Sequence, residues 1–252
     1  MTDQAITEIC KELRNRLTVP ESQTSVGLDW DQINFMLDLI LNQTAPDRKL
    51  DTLEIGLGIG CSAGAFLLSG RSRRHTVISM DSPERQNLAL KNVRQLDGDG
   101  IFELHEESSH FALPKLAGDG AKFDIALIDG GHRFDEIFID FHYVRSLLNP
   151  SGFVLLDDLW MPSTKSVVSW IETNLESEWD RLPSVPKNFA VFQKRDIADT
   201  RAWYDFTPFD TSWASAQPGR SAIVRGRLDR SVAAICRFCR RNYVRIRPRT
   251  TN

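Results

Sequence analysis

The sequence predicts an α/β protein built on a mostly parallel, doubly wound sheet of seven strands with helices on both faces. Two observations predict it. Short apolar runs alternate between residues 50 and 194 with segments of helical spacing. Several of those runs end in acidic residues just before the next helix begins. Parallel strands buried on both faces read as near-continuous apolar runs, and their polar groups collect at the strand ends.

The elements follow in order. The opening residues read as helix. "LDWDQINFMLDLILNQ" (28–43) is a second helix, with Ile33, Leu37, Ile40 and Leu41 on one face and Asp29 at its N-cap. "LDTLEIGLG" (50–58) is the first strand and its exit, followed by a helix over 61–69. "HTVISMD" (75–81) and "GIFELHEE" (100–107) are the next strands, with helices over 83–96 and about 109–117. "FDIALID" (123–129) leads into a helix over 134–148, in which Phe134, Ile137, Phe138, Phe141, Val144 and Leu148 recur at helical spacing. "SGFVLLDD" (151–158) is the fifth strand, a helix covers 163–175, and two last strands fall near 178–184 and 188–194. The chain therefore divides into a helical entry segment (1–45), a core domain (46–195) and a C-terminal extension (196–252).

With 252 residues, 41% of them hydrophobic and 26% charged, the composition is that of an ordinary soluble globular protein. No apolar run reaches 18 residues and the first 17 residues hold no signal-like stretch, so a cytoplasmic protein is expected. The spacing of Cys10, Cys61, Cys236 and Cys239 suggests no disulfide framework. The net charge of −3 hides an asymmetry. Residues 217–252 hold ten arginines and one acid, or 10 − 1 = +9, which leaves −3 − 9 = −12 on the remainder.

In doubly wound sheets ligands sit beyond the carboxyl ends of the strands, near the point where strand order reverses. The loops after the strands are therefore where chemistry is expected. "EIGLGIGCSAG" (54–64) closes the first strand and opens a helix. Gly56, Gly58 and Gly60 permit a tight turn and close approach of a ligand, and the helix N-terminus with the Ser62 hydroxyl offers donors to an anion. A purely structural glycine turn would look the same. Asp81, 25 residues after Gly56, supplies a carboxylate that can accept both hydroxyls of a ribose. The spacing is G-x-G-x-G, not the G-x-G-x-x-G of nicotinamide dehydrogenases, so the expected ligand is a nucleoside-containing cofactor of another kind.

Two adjacent acids, Asp157 and Asp158, end the fifth strand, and Asp129 ends the fourth. If those strands are neighbours, three carboxylates share one edge. Their mutual repulsion would be relieved by a hard divalent cation such as Mg²⁺. The alternative is that each acid caps the helix after it. His132 follows Gly130 and Gly131, which allow its ring to swing toward the same cleft; it is either a surface or capping residue, or a base titrating near neutrality. Trp160 and Met161–Pro162 either wall a substrate pocket or are ordinary core and loop residues.

The pattern E-x-G-x-G-x-G-x-S, an acid after the second strand, "IDGGH" and "LLDD" together resemble the class I S-adenosylmethionine-dependent methyltransferases, which have a Rossmann-like fold. The resemblance covers about residues 20–195. It is narrower still to metal-dependent O-methyltransferases of the catechol, caffeoyl-CoA and macrolide-sugar type. It implies that Glu54, Gly56, Gly58, Gly60 and Ser62 hold the amino-acid end of S-adenosylmethionine, and that Asp81 with Ser82 holds the ribose. Glu107 and Ser108, within "EES" (106–108), would lie near the adenine, and "TSVGLDWDQ" (24–32) would fold over the ligands. Asp129, itself beside the cofactor, and Asp157 and Asp158 fall on the metal-ligand positions, where an Asn often takes the third place. His132 falls where catechol-type members carry a lysine base and sugar-modifying members a histidine. The expected reaction is methyl transfer to a hydroxyl of a small molecule, with Mg²⁺ or another divalent cation lowering the hydroxyl pKa and His132 taking its proton. A metal-independent methyltransferase of the same fold is one alternative. A non-catalytic cofactor-binding protein acting through its tail is another.

In the tail, Val224, Leu228, Val232, Ile235, Cys239 and Tyr243 recur every three or four residues within 221–249, an amphipathic helix with arginines on its other face. Docking on the acidic body or on a second subunit of a homo-oligomer is the first reading. Contact with anionic membrane comes second, and nucleic acid last. Cys236 and Cys239 have no second pair or nearby histidine to complete a zinc site.

Overall fold

The computed structural model describes residues 2–19 and 27–212. The tail pattern over 221–249, Cys236 and Cys239, and residues 24–26 of the entry segment lie outside the described residues. Residues Met1–Asp210 form one unit, and Thr211–Asn252 a second.

Two helices precede the sheet, α1 (Thr2–Arg16) and α2 (Trp30–Asn42). The strands are β1 (Leu50–Ile55), β2 (Ser72–Ile78), β3 (Phe102–His105), β4 (Phe123–Ile128), β5 (Leu148–Leu156), β6 (Trp179–Arg181) and β7 (Ala190–Lys194). Between them run α3 (Cys61–Leu68), α4 (Pro83–Leu96), α5 (Ser109–Gly118), α6 (Phe134–Leu147) and α7 (Pro162–Asn174). The order across the sheet is β3-β2-β1-β4-β5-β7-β6, so β4 and β5 are neighbours and strand order reverses between β1 and β4. The first five strands pair in parallel, whereas β7 runs antiparallel to both β5 and β6. The short link between β6 and β7 allows only an antiparallel return.

Alternation along the strands builds the two halves of the core. Ile125 and Leu127 of β4, with Phe153 and Leu155 of β5, face the side packed by α1 to α4, where Leu13, Ile33, Phe66 and Val93 are buried. Ala126, Ile128, Val154 and Leu156 face the other side and meet α5, α6 and α7 through Leu113, Phe141, Val144, Val167 and Ile171. β1 departs from this pattern. Its Leu53 and Ile55 join the second half, but Thr52 and Glu54 point to the first half and are fully buried. His75 of β2 reconciles them: Thr52 Oγ1 lies 2.9 Å from His75 Nδ1, and Glu54 Oε2 lies 3.0 Å from His75 Nε2. Buried polar groups are tolerated when each finds such a partner. The Phe66 ring stacks on His75 with centroids 4.7 Å apart. Among the described residues no helix is long and apolar enough to cross a membrane.

One buried acid lacks that provision. Asp140 of α6 is 1% exposed and both its carboxylate oxygens are without a hydrogen-bond partner. Burial pushes its pKa up to about 6; the nearby Ser109 hydroxyl and His110 pull the other way without forming a good bond. The folded state thus favours the neutral acid. The associated stability is fully present below the unfolded pKa near 4 and is lost as pH rises through about 6. Asp140→Asn is therefore expected to raise unfolding free energy at pH 8 by about 1–3 kcal/mol and to give no gain at pH 4. Urea titrations at the two pH values check this, and equal effects at both would contradict it.

Candidate active site

Each of the central strands is followed by one more backbone hydrogen bond to its neighbour. The Gly56 N–H donates to the Ile78 carbonyl at 2.9 Å, and the Asp129 N–H to the Ile55 carbonyl at 2.9 Å. The Asp157 N–H donates to the Ile128 carbonyl at 3.1 Å, and the Ser79 N–H to the His105 carbonyl at 3.1 Å. Residues far apart in sequence are thereby set on one rim at the carboxyl ends of the strands.

Gly56 is the tightest point of that rim. Its φ is +93°, and a Cβ there would lie 2.1 Å from the Asp129 carbonyl oxygen. Both backbone conformation and space require glycine. Gly60, at φ +86°, caps α3, and a Cβ there would press on Val93 of α4 at 2.9 Å.

A cavity of about 520 Å³ opens over the rim, within the range of small-molecule sites. Gly56, Leu57 and Gly58 form its floor on the β1 side. Asp81 and Arg85 stand at the exit of β2, paired at 3.4 Å. Glu107, Ser108, Ser109 and His110 follow β3, and Glu107 is also held by Lys115 at 2.7 Å. Asp129, Gly130, Gly131 and His132 follow β4, and Asp157 and Asp158 follow β5.

Four predicted site residues do not line this cavity. Glu54 points from β1 into the core, where Ser62 Oγ donates to its Oε1 at 2.5 Å and His75 meets its Oε2. Ser62 is consequently turned toward Glu54. Gly60 is packed between α3 and α4. Ser82 is the N-cap of α4, accepting from the Arg85 N–H at 3.5 Å while its own N–H donates to Asp81 Oδ1 at 2.7 Å.

The opposite end of the cavity is acidic. Donor atoms of Asp129, His132 and Asp158 all lie within 4.8 Å of one another. His132 Nε2 is 2.6 Å from Asp158 Oδ2, and the Trp160 indole N–H donates to Asp158 Oδ1 at 2.8 Å. Asp158 adopts φ +57°, a left-handed backbone uncommon outside glycine, asparagine and aspartate. Asp157 stands beside this group and accepts from Gln32 Nε2 at 2.5 Å. Gln32 comes from α2, where its Oε1 also accepts the Asp29 N–H at 2.7 Å. The N-caps of α6 and α7 are Arg133 and Met161, so none of the three acids holds an N-cap position.

The electrostatics follow from crowding. Burial, then the charges of Asp157, Asp158 and Glu54, raise the Asp129 pKa well above the ordinary carboxylate range. Burial lifts Asp157 to about 6, against the hydrogen bonds it accepts from the Asp158 backbone and Gln32. Asp158 is lowered by its bond from His132, and the same bond raises His132. Sequence reasoning missed Gln32, Ser79, Arg85, Ser109, His110 and Glu136. Gln32 left one trace, its position three residues after the Asp29 cap, but its contact with Asp157 spans 125 residues and has no local signature.

Residues 53–159 match the model of a family described as a methyltransferase domain. Solved structures with the same fold include an O-methyltransferase from Bacillus cereus in complex with S-adenosylhomocysteine. It is 15% identical, covers 78% of this chain and 92% of its own, and has a TM-score of 0.54. An O-methyltransferase from Streptomyces achromogenes involved in tomaymycin synthesis, solved with S-adenosylmethionine, is 18% identical over 77% of this chain and 91% of its own, with a TM-score of 0.56. An S-adenosylhomocysteine-bound methyltransferase from Podospora anserina is 17% identical over 76% and 88%, with a TM-score of 0.57. No curated protein matches the chain significantly. Residues 53–159 thus match a methyltransferase domain, and the sheet has the Rossmann-like fold of these solved methyltransferases.

The two glycines on the cavity floor differ in a testable way. A Cβ at Gly58 meets nothing within 4 Å, although its φ is +54°. Gly58→Ala should cost the ligand-free protein about 1–2 kcal/mol through backbone conformation alone. Gly56→Ala should cost about 3 kcal/mol or more, because Ala would collide with the Asp129 backbone. Denaturant unfolding of both variants measures the difference, and equal losses would show that the contact is not tight.

Proposed function

We propose that this chain transfers the methyl group of S-adenosylmethionine to a hydroxyl of a small molecule, with His132 as the base and a divalent cation, Mg²⁺ first, at the acidic pole. The observation that carries the reading is the convergence of Asp129, His132 and Asp158 within 4.8 Å at the end of the glycine-floored cavity. In this reading Gly56 and Gly58 bring backbone up to the cofactor, and Asp81 accepts from its ribose. Glu107 and Ser108 border its adenine. Glu54, Gly60, Ser62 and Ser82 act from behind, by fixing the glycine loop and the start of α4.

The acidic pole fits a hard cation. Its donors are the carboxylate oxygens of Asp129 and Asp158, with Asp157 beside them, and the repulsion that raises Asp129 is what a cation would relieve. Asp129, Asp157 and Asp158 would hold it. A divalent cation there supplies Lewis acidity that lowers the pKa of a nearby hydroxyl. The protein's own groups do the rest. Asp158 fixes the His132 ring through Nε2 and strengthens it as a base, leaving Nδ1 to accept the hydroxyl proton. As the proton moves to His132, the O–CH₃ bond forms and the S–CH₃ bond breaks. The rim holds the reactants in line, which removes much of the entropic part of the barrier.

A second reading has its own observation. Asp158 already accepts from His132 and Trp160, and Asp157 from Gln32, so the pair His132–Asp158 would serve as a base without metal.

His132→Ala is expected to lower kcat by about 10²–10⁴-fold. Its affinity for S-adenosylhomocysteine, measured by calorimetry, should stay within about threefold; unchanged turnover would remove His132 from the reaction. Exhaustive chelation separates the two readings. Loss of turnover restored by Mg²⁺, together with calorimetric Mg²⁺ binding that Asp129→Asn abolishes, supports the cation. Full turnover in excess chelator supports the His132–Asp158 pair alone.

A further inference from the structure

After β7 the chain is tied across the ends of α6 and α7. Asp199 accepts from Arg201 Nε at 2.9 Å and from Arg145, in the last turn of α6, at 2.6 Å. Asn174, the last residue of α7, grips the Thr207 backbone twice, donating to its carbonyl at 2.9 Å and accepting its N–H at 2.8 Å. Between these ties a four-residue turn is closed. The Asp205 N–H donates to the Ala202 carbonyl at 3.0 Å, and the Asp205 carboxylate accepts the Ala202 N–H at 2.7 Å. Trp203 and Tyr204 occupy its tip, with ring centroids 5.3 Å apart.

The largest side chains of this firmly held segment face water. Trp203 is 94% exposed, Tyr204 68% and Phe206 62%, although aromatic side chains gain most by leaving water. The acids beside them are turned back onto donors of the segment itself. Rings presented outward on a fixed base mark an interaction surface.

The sequence supplies the chemistry next to it. Arg220 follows Phe209 by eleven residues and is the first of ten arginines in 217–252, against one acid and no lysine. Val224, Leu228, Val232, Ile235, Cys239 and Tyr243 recur among them every three or four residues. An acidic protein would answer the arginines and leave the rings in water. A nucleic acid would leave the apolar series without a partner. A bilayer containing anionic lipid answers all three features. Aromatic rings favour the headgroup boundary, an apolar series enters the acyl edge, and guanidinium groups pair with lipid phosphate. No run of 18 apolar residues occurs, so the expected contact lies on the surface and does not cross it.

We propose that this chain docks on an anionic membrane surface through two signals, the rings of Trp203, Tyr204 and Phe206 and the arginine-rich segment 217–252. Weak interfacial attachments become stable when two act together. The rings contribute apolar burial, and the arginines an attraction that falls with salt. The inference stands apart from the methyl-transfer reading.

Flotation of the full chain with vesicles provides the test. Vesicles of phosphatidylcholine alone are compared with vesicles in which phosphatidylglycerol replaces part of it. Partition onto the anionic vesicles should exceed that onto the neutral ones by at least about tenfold, and should fall as salt is raised. The combined change Trp203→Ala, Tyr204→Ala and Phe206→Ala should lower it by about tenfold. The urea midpoint of that variant should match wild type, because these side chains are exposed. If the triple variant unfolds, Trp203→Ser alone carries the test of the rings, with a loss of about threefold expected. Changing Arg237, Arg240 and Arg241 together to glutamine should lower partition by about tenfold as well. No flotation with anionic vesicles overturns the proposal, as does equal flotation with neutral ones. Full binding by a folded ring variant, or by the arginine variant, also overturns it. Tighter, ring-dependent binding to a single-stranded oligonucleotide than to anionic vesicles would replace it with a nucleic-acid partner.

Discussion

The backbone contact between Gly56 and Asp129 is the constraint on which the rest of the site depends. It sits where strand order reverses, between β1 and β4, and there the chain that leaves β1 for the glycine loop must pass the chain that leaves β4 for the acidic loop. With 2.1 Å between an ideal Cβ and the Asp129 carbonyl oxygen, only glycine lets the two exits touch. The same crossing is hydrogen-bonded from both sides, through Gly56 to Ile78 and Asp129 to Ile55. The glycine-loop end and the acidic end of the cavity are thus fixed to one another by backbone, not by side chains. Open α/β sheets place ligands at such reversal points because the diverging loops leave a crevice there.

Behind the crossing lies a polar core. Thr52, Glu54, His75 and Ser62 form one buried network on the face of β1 that would otherwise be apolar. Such a network is stable only when every member is satisfied, and this one ties the first strand, the second strand and the start of α3 together. Glu54 therefore positions the glycine loop from within the protein. Its neighbour Gly56, two residues on, has left the strand and lies on the cavity floor.

At the other end, three acids that repel one another are each given a different environment. Asp157 receives an amide from α2, and Asp158 receives an imidazole and an indole. Asp129, the most enclosed of the three, accepts no donor comparable to these and is the one whose ionisation is most strongly opposed. Separating like groups by environment is how a single cleft comes to hold three neighbouring carboxylates whose pKa values are pushed in different directions.

Much of this was determined by the sequence alone. The period of the apolar residues sets the strands, the helices and the two-sided core, because side-chain direction in a strand or helix follows local geometry. The glycines at 56, 58 and 60 and the acids at 81, 129, 157 and 158 are visible as punctuation at strand ends, where a parallel sheet collects its polar groups. What the tertiary structure decided is which of these residues face one another. The β1–β4 pairing, the inward turn of Glu54, the reach of Gln32 to Asp157 and the joint hold of Asp158 on His132 and Trp160 all join residues distant in sequence or depend on strand order. Local periodicity specifies the direction of a side chain relative to its own strand. Only the packed sheet specifies what lies in that direction.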